Sequence, residues 1–284
     1  MQDPSAATRS QSPTLDVDAL AARARELRRD VLKMTTAAGS GHPSSSFSAV
    51  EILTDLYFGG ILRYDPRNPQ WPDRDRFILS KGHAAPILYA VLAHAGYFPR
   101  EQLMSLRKLG SPLEGHPNMR RLPGVEASTG SLGQGLSIGL GHALAARIDH
   151  RDFNVYVLLG DGEIEEGQVW EAANAAANLQ VGNLVAIVDN NGYQQTTAVA
   201  NLTDPARYDD KWRAFGWETV EINGHDLRQV HDALVRATAY TDGPFAIIAH
   251  TVKGKGLRLM EEDFTWHGRA LPADQLEKAL EELG

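Results

Sequence analysis

The fold is decided by the stretch from Gly160 to Asn191, which reads GDGEIEEGQVWEAANAAANLQVGNLVAIVDNN. Asp161 and Asn191 lie 30 residues apart (191 − 161 = 30), and each follows a short apolar run, 155–159 or 184–188. This spacing predicts one strand–helix–strand unit. In such a unit the strands run parallel, about 4.8 Å apart when adjacent, and their carboxyl ends meet at one edge of the sheet. Both side chains are therefore expected at that edge.

Asp161 and Asn191 are candidate ligands for a metal ion. A carboxylate and a carboxamide at one sheet edge can share a hard cation such as Mg²⁺, which takes oxygen ligands and keeps coordination places for phosphate. Asp-Gly and Asn-Asn-Gly are also ordinary turn sequences, and for Asp-Gly alone that explanation is the better one. The second oxygen-bearing side chain at this distance makes the metal site the better interpretation of the pair.

The rest of the chain alternates between apolar runs and helical patterns. Strands are expected at 76–80, 154–159, 184–188, 217–222 and 244–250. Helices are expected from Asp16 or Asp18 to residue 38 and at 48–57, 84–95, 132–146, 166–179, 205–214, 227–240 and 273–283, with long loops at 109–126 and 251–267. This alternation predicts an α/β fold, a parallel sheet with helices on both faces. Right-handed crossovers then bring every carboxyl strand end to the edge where ligands bind.

The composition limits the possible classes of protein. The chain has 284 residues, 43% hydrophobic and 23% charged, which is typical of a globular protein with one large domain or two small ones. Without a visible repeat or linker, we expect one domain over residues 15–284. The net charge of −8 gives no support to nucleic-acid binding. The absence of cysteine excludes disulfides, thiolate metal sites and cysteine nucleophiles.

Residues 1–14 are expected to form a disordered tip. The segment Met1–Pro13 is rich in Ser, Thr, Ala and Gln and lacks the basic segment and apolar core of a secretory signal. No run approaches the roughly 18–20 apolar residues that span a bilayer. The sequence therefore predicts a cytoplasmic protein that does not bind membranes.

Four of the ten histidines lie beside Gly or Pro in loops expected at the ligand-binding edge: His42, His83, His116 and His267. The other six have a structural or surface explanation: His94, His142, His150, His225, His231 and His250. Imidazole titrates near pH 6.5 and both donates and accepts hydrogen bonds. The four loop histidines therefore indicate a lining that handles protons or binds hydroxyl groups.

The segment Gly130–Gly135 (GSLGQG) opens a predicted helix. Main-chain N–H groups at a helix N-terminus, left uncovered by glycine, suit a phosphate or another polar ligand atom. The segment lacks the spacing of the dinucleotide fingerprint and of the P-loop, so alone it is weak evidence. At the start of the next helix, Glu163 and Glu165 are interpreted as simple charges that favour the positive end of the helix dipole.

As a set, these motifs resemble the transketolase family of thiamine-diphosphate enzymes. The resemblance runs from about Ala22 to the end of the chain. Its motifs are, in order, Ser40-Gly41-His42-Pro43, Ser80-Lys81-Gly82-His83, Glu114-Gly115-His116-Pro117, Thr129–Gly135, Gly160-Asp161-Gly162 with Asn191, and His267-Gly268. The Gly-Asp-Gly…Asn motif is shared by all thiamine-diphosphate enzymes, whereas the two Gly-His-Pro segments and Gly-Ser-Leu-Gly-Gln-Gly narrow the match to transketolases.

The resemblance implies a thiamine-diphosphate-binding fold and a metal-bound cofactor. Asp161, Asn191 and the main-chain carbonyl of Tyr193 would hold Mg²⁺, or another divalent cation such as Ca²⁺ or Mn²⁺, against the cofactor's diphosphate. At Tyr193 the family often has an aliphatic residue, which matters little if only the backbone ligates.

The resemblance also implies contacts with the cofactor and the substrate. Contacts with thiamine diphosphate are implied for His83, Gly130, Ser131, Leu132, Gly162 and His267. Catalytic roles, through sugar hydroxyls or the cofactor, are implied for His42, His83, His116 and His267. Glu166 resembles the family's acidic residue at the protomer interface, part of a link between two active sites, and is counted with the cofactor site.

The length of the chain departs from the family pattern. A complete transketolase continues with a pyrimidine-binding domain, which carries the glutamate that activates the cofactor, and a C-terminal domain. The resemblance is therefore to the N-terminal subunit of a split transketolase, and it implies a separate C-terminal subunit in a heterotetramer. Together they would transfer a two-carbon ketol unit from a ketose, or its phosphate, to an aldose or its phosphate.

Two other interpretations remain. The alpha subunit of a 2-oxo-acid dehydrogenase complex also carries Gly-Asp-Gly…Asn, but the two Gly-His-Pro segments argue against it. A truncated paralogue could act as a non-catalytic binding or assembly module, and the retention of Asp161, Asn191 and all four loop histidines argues against that.

Overall fold

The computed structural model describes residues 15–201 and 203–284, so the expectation for residues 1–14 lies outside the described residues. The α-helices are α1 (Val17–Ala38), α2 (Pro43–Phe47), α3 (Val50–Phe58), α4 (Ala85–His94), α5 (Gln134–Ile148), α6 (Gly167–Asn178), α7 (Tyr208–Ala214), α8 (Leu227–Ala239) and α9 (Leu276–Leu283). The strands are β1 (Arg76–Leu79), β2 (Val155–Gly160), β3 (Leu184–Asn190), β4 (Glu218–Asn223) and β5 (Phe245–His250).

The five strands form one parallel sheet in the order β1-β2-β3-β5-β4. β2 and β3 are neighbours, with Gly160 opposite Asp189, and α6 connects them. The strand–helix–strand unit predicted from the 30-residue spacing is therefore confirmed. Since all strands point the same way, the segments that follow them meet at one edge.

Helices cover both faces of the sheet, as predicted. On one face Tyr156 and Ile187 lie in a core with residues of α1–α4, α8 and α9. On the other face Val157 and Ala186 lie in a core with residues of α5–α7. Burial on both faces explains why β2 and β3 read as continuous apolar runs.

Three helical segments illustrate where the structure differs from the prediction. α5 begins at Gln134 instead of residue 132, because Gly133 has a φ of 82° and caps the helix in the left-handed conformation. The helix predicted from residue 205 opens with a 3₁₀ turn and becomes α-helical at Tyr208. α2 was not predicted, because its sequence Pro-Ser-Ser-Ser-Phe has no helical period.

Among the helices of the described ranges, none combines the length and apolar character needed to cross a bilayer.

Candidate functional site

A cavity of about 480 Å³ lies at the carboxyl edge of the sheet. β1, β2 and β3 end beside it, and the loop after β5 forms another wall. One predicted residue, Ser131, is exposed and lies outside the lining. The predicted residues that the cavity brings together are His42, His83, His116, Gly130, Leu132, Asp161, Gly162, Glu166, Asn191, Tyr193 and His267.

Asp161 lies directly after β2, beside the end of β3. Its main-chain N–H donates to the carbonyl oxygen of Asp189 at 3.2 Å. Its carboxylate accepts hydrogen bonds from the N–H of Gly162 at 2.8 Å and from the N–H of Gly192 at 2.6 Å. The carboxylate is thus held by the turn that follows Asn191, as the shared sheet edge predicts.

Asn191 and Tyr193 add two more oxygens on the same wall. The Asn191 carboxamide donates to Asp189 Oδ2 at 3.3 Å, and its oxygen accepts from the N–H of Tyr193 at 3.2 Å. These two bonds fix which end of the carboxamide is the oxygen. The carbonyl oxygen of Tyr193 accepts from Lys253 Nζ at 3.3 Å.

The Asp161 carboxylate fits a site for a cation. Burial raises the pKa of Asp161 to about 7, and the negative charge of Asp189 adds to the rise. The buried ammonium of Lys81 pairs with Asp189, and no ion pair within the described ranges involves Asp161. The positive charge of Lys81 offsets only part of this rise, and a buried carboxylate without a paired counter-charge is costly. A divalent cation would supply that charge, and a carboxylate, a carboxamide and a carbonyl oxygen are the ligands that Mg²⁺ takes.

Three of the four loop histidines form one cluster of rings. The ring centroids are 5.1 Å apart for His42 and His83, 5.2 Å for His42 and His267, and 5.1 Å for His83 and His267. Nδ1 of His42 is buried and has no hydrogen-bond partner among the described residues. A buried polar atom of this kind calls for a partner, so the cluster is suited to a polar ligand.

Burial keeps the four rings neutral at physiological pH. It lowers the pKa of His42 to about 4 and that of His267 to about 3, and nearby cationic side chains add to both shifts. Burial likewise lowers the pKa of His83 and, to a smaller extent, of His116. A neutral imidazole donates one hydrogen bond and accepts another. Of the two roles that the sequence left open, proton handling and hydroxyl binding, the neutral rings favour hydroxyl binding.

Glu163 corrects the sequence analysis. Its side chain is 3% exposed and accepts hydrogen bonds from Ser80 Oγ at 2.5 Å, from the N–H of Gly133 at 3.0 Å and from the N–H of Gly160 at 3.0 Å. The interpretation of Glu163 as a simple helix-start charge is therefore wrong. Glu163 joins the ends of β1 and β2 to the start of α5. It accepts the hydrogen bond from the N–H of Gly133, one of the N–H groups that were predicted to bind a ligand.

Glu166 lies at the rim of the cavity. It is exposed and is the N-cap residue of α6. A Cβ on Gly133 would lie 2.8 Å from the Cβ of Glu166, so only glycine lets the two loops approach this closely. Because Glu166 is exposed at the rim, its carboxylate is available to a molecule that covers the cavity.

Two buried lysines of the lining were not predicted. Lys81 and Lys253 are each 1% exposed. Lys253 Nζ donates to the carbonyl oxygen of Tyr193 at 3.3 Å and to Nδ1 of His267 at 2.9 Å. Burial lowers the pKa of Lys253 to about 8, and the charge of Lys81 adds to the shift. Both lysines closely follow a strand at the ligand-binding edge, which was the available signal in the sequence. The lining also includes Ser45, Gln194, Gln195 and Thr196, which were not singled out.

The cavity suits a polyanion that binds together with a divalent cation. Three oxygen donors lie on one wall, and the ammonium of Lys253 lies beside them. The described residues hold no group of three His, Asp or Glu side chains that could bind a metal ion alone. A cation here would therefore share oxygens with its ligand, as Mg²⁺ does with phosphates.

A family model matches residues 18–284 of the chain and describes the thiamine diphosphate binding domain of transketolase. The relatives include two proteins of similar length. The chain is 40% identical over 261 residues to the 6-deoxy-6-sulfo-D-fructose transketolase subunit SqwG of Clostridium sp. strain MSTE9, covering 92% of this chain and 94% of that one. It is 38% identical over 270 residues to an apulose-4-phosphate transketolase subunit of Phocaeicola vulgatus, covering 95% of each.

Other relatives are longer. The chain is 43% identical to the transketolase of Pongo abelii and 42% identical to that of Homo sapiens, and in each case it spans 42% of the relative's length. The crystal structure of transketolase from Campylobacter jejuni superposes with a TM-score of 0.89 at 34% identity, over 95% of this chain and 43% of that one. The chain thus matches less than half the length of these longer proteins, and its fold agrees with that of the Campylobacter jejuni transketolase over the superposed part.

Proposed function

Since the chain belongs to the transketolase family through its thiamine-diphosphate-binding domain, we propose that it is the N-terminal subunit of a split transketolase. With a separate C-terminal subunit it would transfer a two-carbon ketol unit from a ketose or its phosphate to an aldose or its phosphate. The observation that carries the proposal is the buried Asp161 carboxylate, which has a raised pKa and lines the same cavity as Asn191, Tyr193 and Lys253.

The residues of the cavity fit thiamine diphosphate with Mg²⁺. Asp161, Asn191 and the carbonyl oxygen of Tyr193 would hold the cation, and Lys253 and His83 would neutralise or hydrogen-bond the diphosphate. Gly130, Leu132 and Gly162 also line the cavity, and Ser131 lies outside its lining. When bound, the cofactor supplies the electron sink that breaking a carbon–carbon bond beside a carbonyl requires.

The neutral histidines would orient the sugar. An ammonium can only donate, so Lys253 fixes Nδ1 of His267 as an acceptor, and the proton of the neutral ring lies on Nε2. His267 can therefore donate to a ligand oxygen inside the cavity. His42, with its unpartnered Nδ1, and His116, which also lines the cavity, would bind substrate hydroxyls.

The length of the relatives supports a partner subunit. Two relatives named as transketolase subunits are covered over 94% and 95% of their length, whereas the longer relative named transketolase is covered over 42%. The exposed Glu166 at the rim of the cavity is suited to meet such a partner, and a heterotetramer would place two sites beside each other. The matches to transketolases do not favour the 2-oxo-acid dehydrogenase alternative or the non-catalytic one.

Reconstitution tests the proposed function. The neighbouring reading frames would first be searched for a chain with a pyrimidine-binding domain. The two purified chains would then be mixed with Mg²⁺, thiamine diphosphate, a ketose phosphate and an aldose phosphate. We expect product from the mixture and none from either chain alone. If a screen of common donor and acceptor sugars yields no product from the mixture, the proposal is wrong.

His116→Ala is expected to impair turnover and to leave cofactor binding intact. Losing one hydrogen bond to a substrate hydroxyl should lower kcat/KM about tenfold, whereas the affinity for thiamine diphosphate should change less than twofold. Steady-state kinetics and calorimetry on the reconstituted enzyme measure the two effects. The exposed His150 provides the control as His150→Ala. If His116→Ala has wild-type kinetics, the assignment of His116 to the substrate-binding site is wrong.

A further inference from the structure

A buried charged cluster lies under the loop that carries Lys253. Glu51 of α3 accepts from Arg28 Nη1 at 2.6 Å, from Arg28 Nη2 at 2.8 Å and from His225 Nδ1 at 2.8 Å. Burial would raise the pKa of Glu51, but the charge of Arg28 and the hydrogen bonds from His225 and Arg28 outweigh it and lower the pKa to about 2. Glu51 therefore stays ionised and holds both partners. We call Glu51, Arg28 and His225 the Glu51 clamp.

The clamp determines the tautomer of His225. Nε2 of His225 lies 2.8 Å from the main-chain N–H of Val252, which can only donate. Nε2 is therefore an acceptor, and the ring proton lies on Nδ1, where it is donated to Glu51. The hydrogen bond from Val252 thus depends on a neutral ring that Glu51 orients.

The clamp grips the loop on both sides of Lys253. On one side Val252 is bound by His225, and on the other the carbonyl oxygen of Lys255 accepts from Arg28 Nε at 3.0 Å. Neither contact uses a side chain of the loop. Between them, Lys253 turns its ammonium into the cavity, to Tyr193 and His267.

We propose that His225 is a positioning residue, which sets the place of the Lys253 ammonium through the main chain of Val252. A lysine on a loop loses side-chain and backbone freedom when it meets an anion, and a loop already fixed at both ends has less freedom to lose. The inference rests on the proposed function, because it takes the diphosphate as the anion that Lys253 meets. From the sequence alone, His225 was interpreted as a structural or surface residue, because no motif or spacing in the sequence places it near residue 253.

Two substitutions of His225 separate its two hydrogen bonds. In His225→Asn the side-chain amide lies near the former Nδ1 and can still donate to Glu51, but it is too short to reach Val252. In His225→Gln the amide oxygen lies near the former Nε2 and can accept from Val252, while the donation to Glu51 is lost. If His225 only stabilised the fold, the two substitutions would have similar effects on binding and on amide exchange.

The test combines amide exchange with binding of magnesium pyrophosphate by the purified chain. We expect His225→Asn to speed hydrogen exchange at the Val252 amide and to weaken the binding of magnesium pyrophosphate about tenfold. This loss lies in the range found for outer-shell substitutions at metal sites. We expect His225→Gln to keep that amide protected and to bind within about twofold of the wild type. His150→Asn is the matched control, at an exposed histidine with a φ of 53° that asparagine tolerates.

The outcomes separate this inference from the function on which it rests. If the wild type does not bind magnesium pyrophosphate, the proposed function fails and this inference fails with it. If the wild type binds but the two His225 variants bind and exchange alike, only the positioning role is overturned. Melting temperatures of both variants show whether a loss of binding reflects a loss of fold.

Discussion

Replacing Asp161 with alanine is expected to weaken Mg²⁺-dependent binding of thiamine diphosphate by roughly 100-fold or more, since even outer-shell changes at metal sites cost about 10–100-fold. Asp161 is the carboxylate of the proposed ligand set, and the other two oxygens belong to a neutral amide and a neutral carbonyl. When the Asp161 carboxylate is removed, the cation loses its strongest protein ligand. Calorimetry with the chain and its partner subunit, with Mg²⁺ and again with a chelator, measures the effect.

Two further variants define the cause of that loss. Asp161→Asn removes the charge and keeps the size of the side chain. Its single oxygen can accept from only one of the two N–H groups that the carboxylate oxygens bind, that of Gly162 or that of Gly192. A loss similar to that of alanine would show that a side chain of the same size cannot replace the carboxylate. The exposed Asp242 provides the control as Asp242→Ala, which should bind like the wild type. With the chelator present, all variants should bind equally weakly. An unchanged affinity in Asp161→Ala would show that the metal assignment is wrong.

The sheet and the pairing of its central strands were predictable because the signals are local. β2 and β3 are buried on both faces, so each is a continuous apolar run, and one crossover separates them. The distance from Asp161 to Asn191 is the length of that crossover, which is why a spacing in the sequence predicted a neighbourhood in space. The loop histidines were identified by their Gly and Pro neighbours for the same reason.

The charges behind the site were not predictable, because each depends on a partner far away in the chain. Glu163 reads as a helix-start carboxylate, yet its partner Ser80 lies 83 residues away. His225 is explained by Glu51, which is 174 residues distant. No periodicity or motif links such pairs, and the packing of loops on the sheet edge determines them. Lys253 differs, since its position after β5 was a signal that the sequence already contained.

Replacing Lys81 with methionine is expected to destabilise the chain by about 3–5 kcal/mol, the usual cost of removing one partner of a buried ion pair. Lys81 is 1% exposed and Asp189 is fully buried. The Lys81 ammonium donates to Asp189 Oδ2 and to the carbonyl oxygen of Ser45 at 3.0 Å. Methionine fills similar space but leaves the Asp189 carboxylate without its cation. Denaturant unfolding of the isolated chain measures the loss.

A double variant tests whether the loss comes from the abandoned charge. In Lys81→Met with Asp189→Asn neither charge is left, so we expect it to be more stable than Lys81→Met alone, because the cost lies in the unpaired carboxylate rather than in a missing attraction. The exposed pair of Arg67 and Asp65, with side chains 92% and 37% exposed, is the control. Arg67→Met should change the unfolding free energy by less than about 1 kcal/mol. A loss in Lys81→Met no larger than that of Arg67→Met would contradict the argument that Lys81 stabilises the fold by pairing with the buried Asp189 carboxylate.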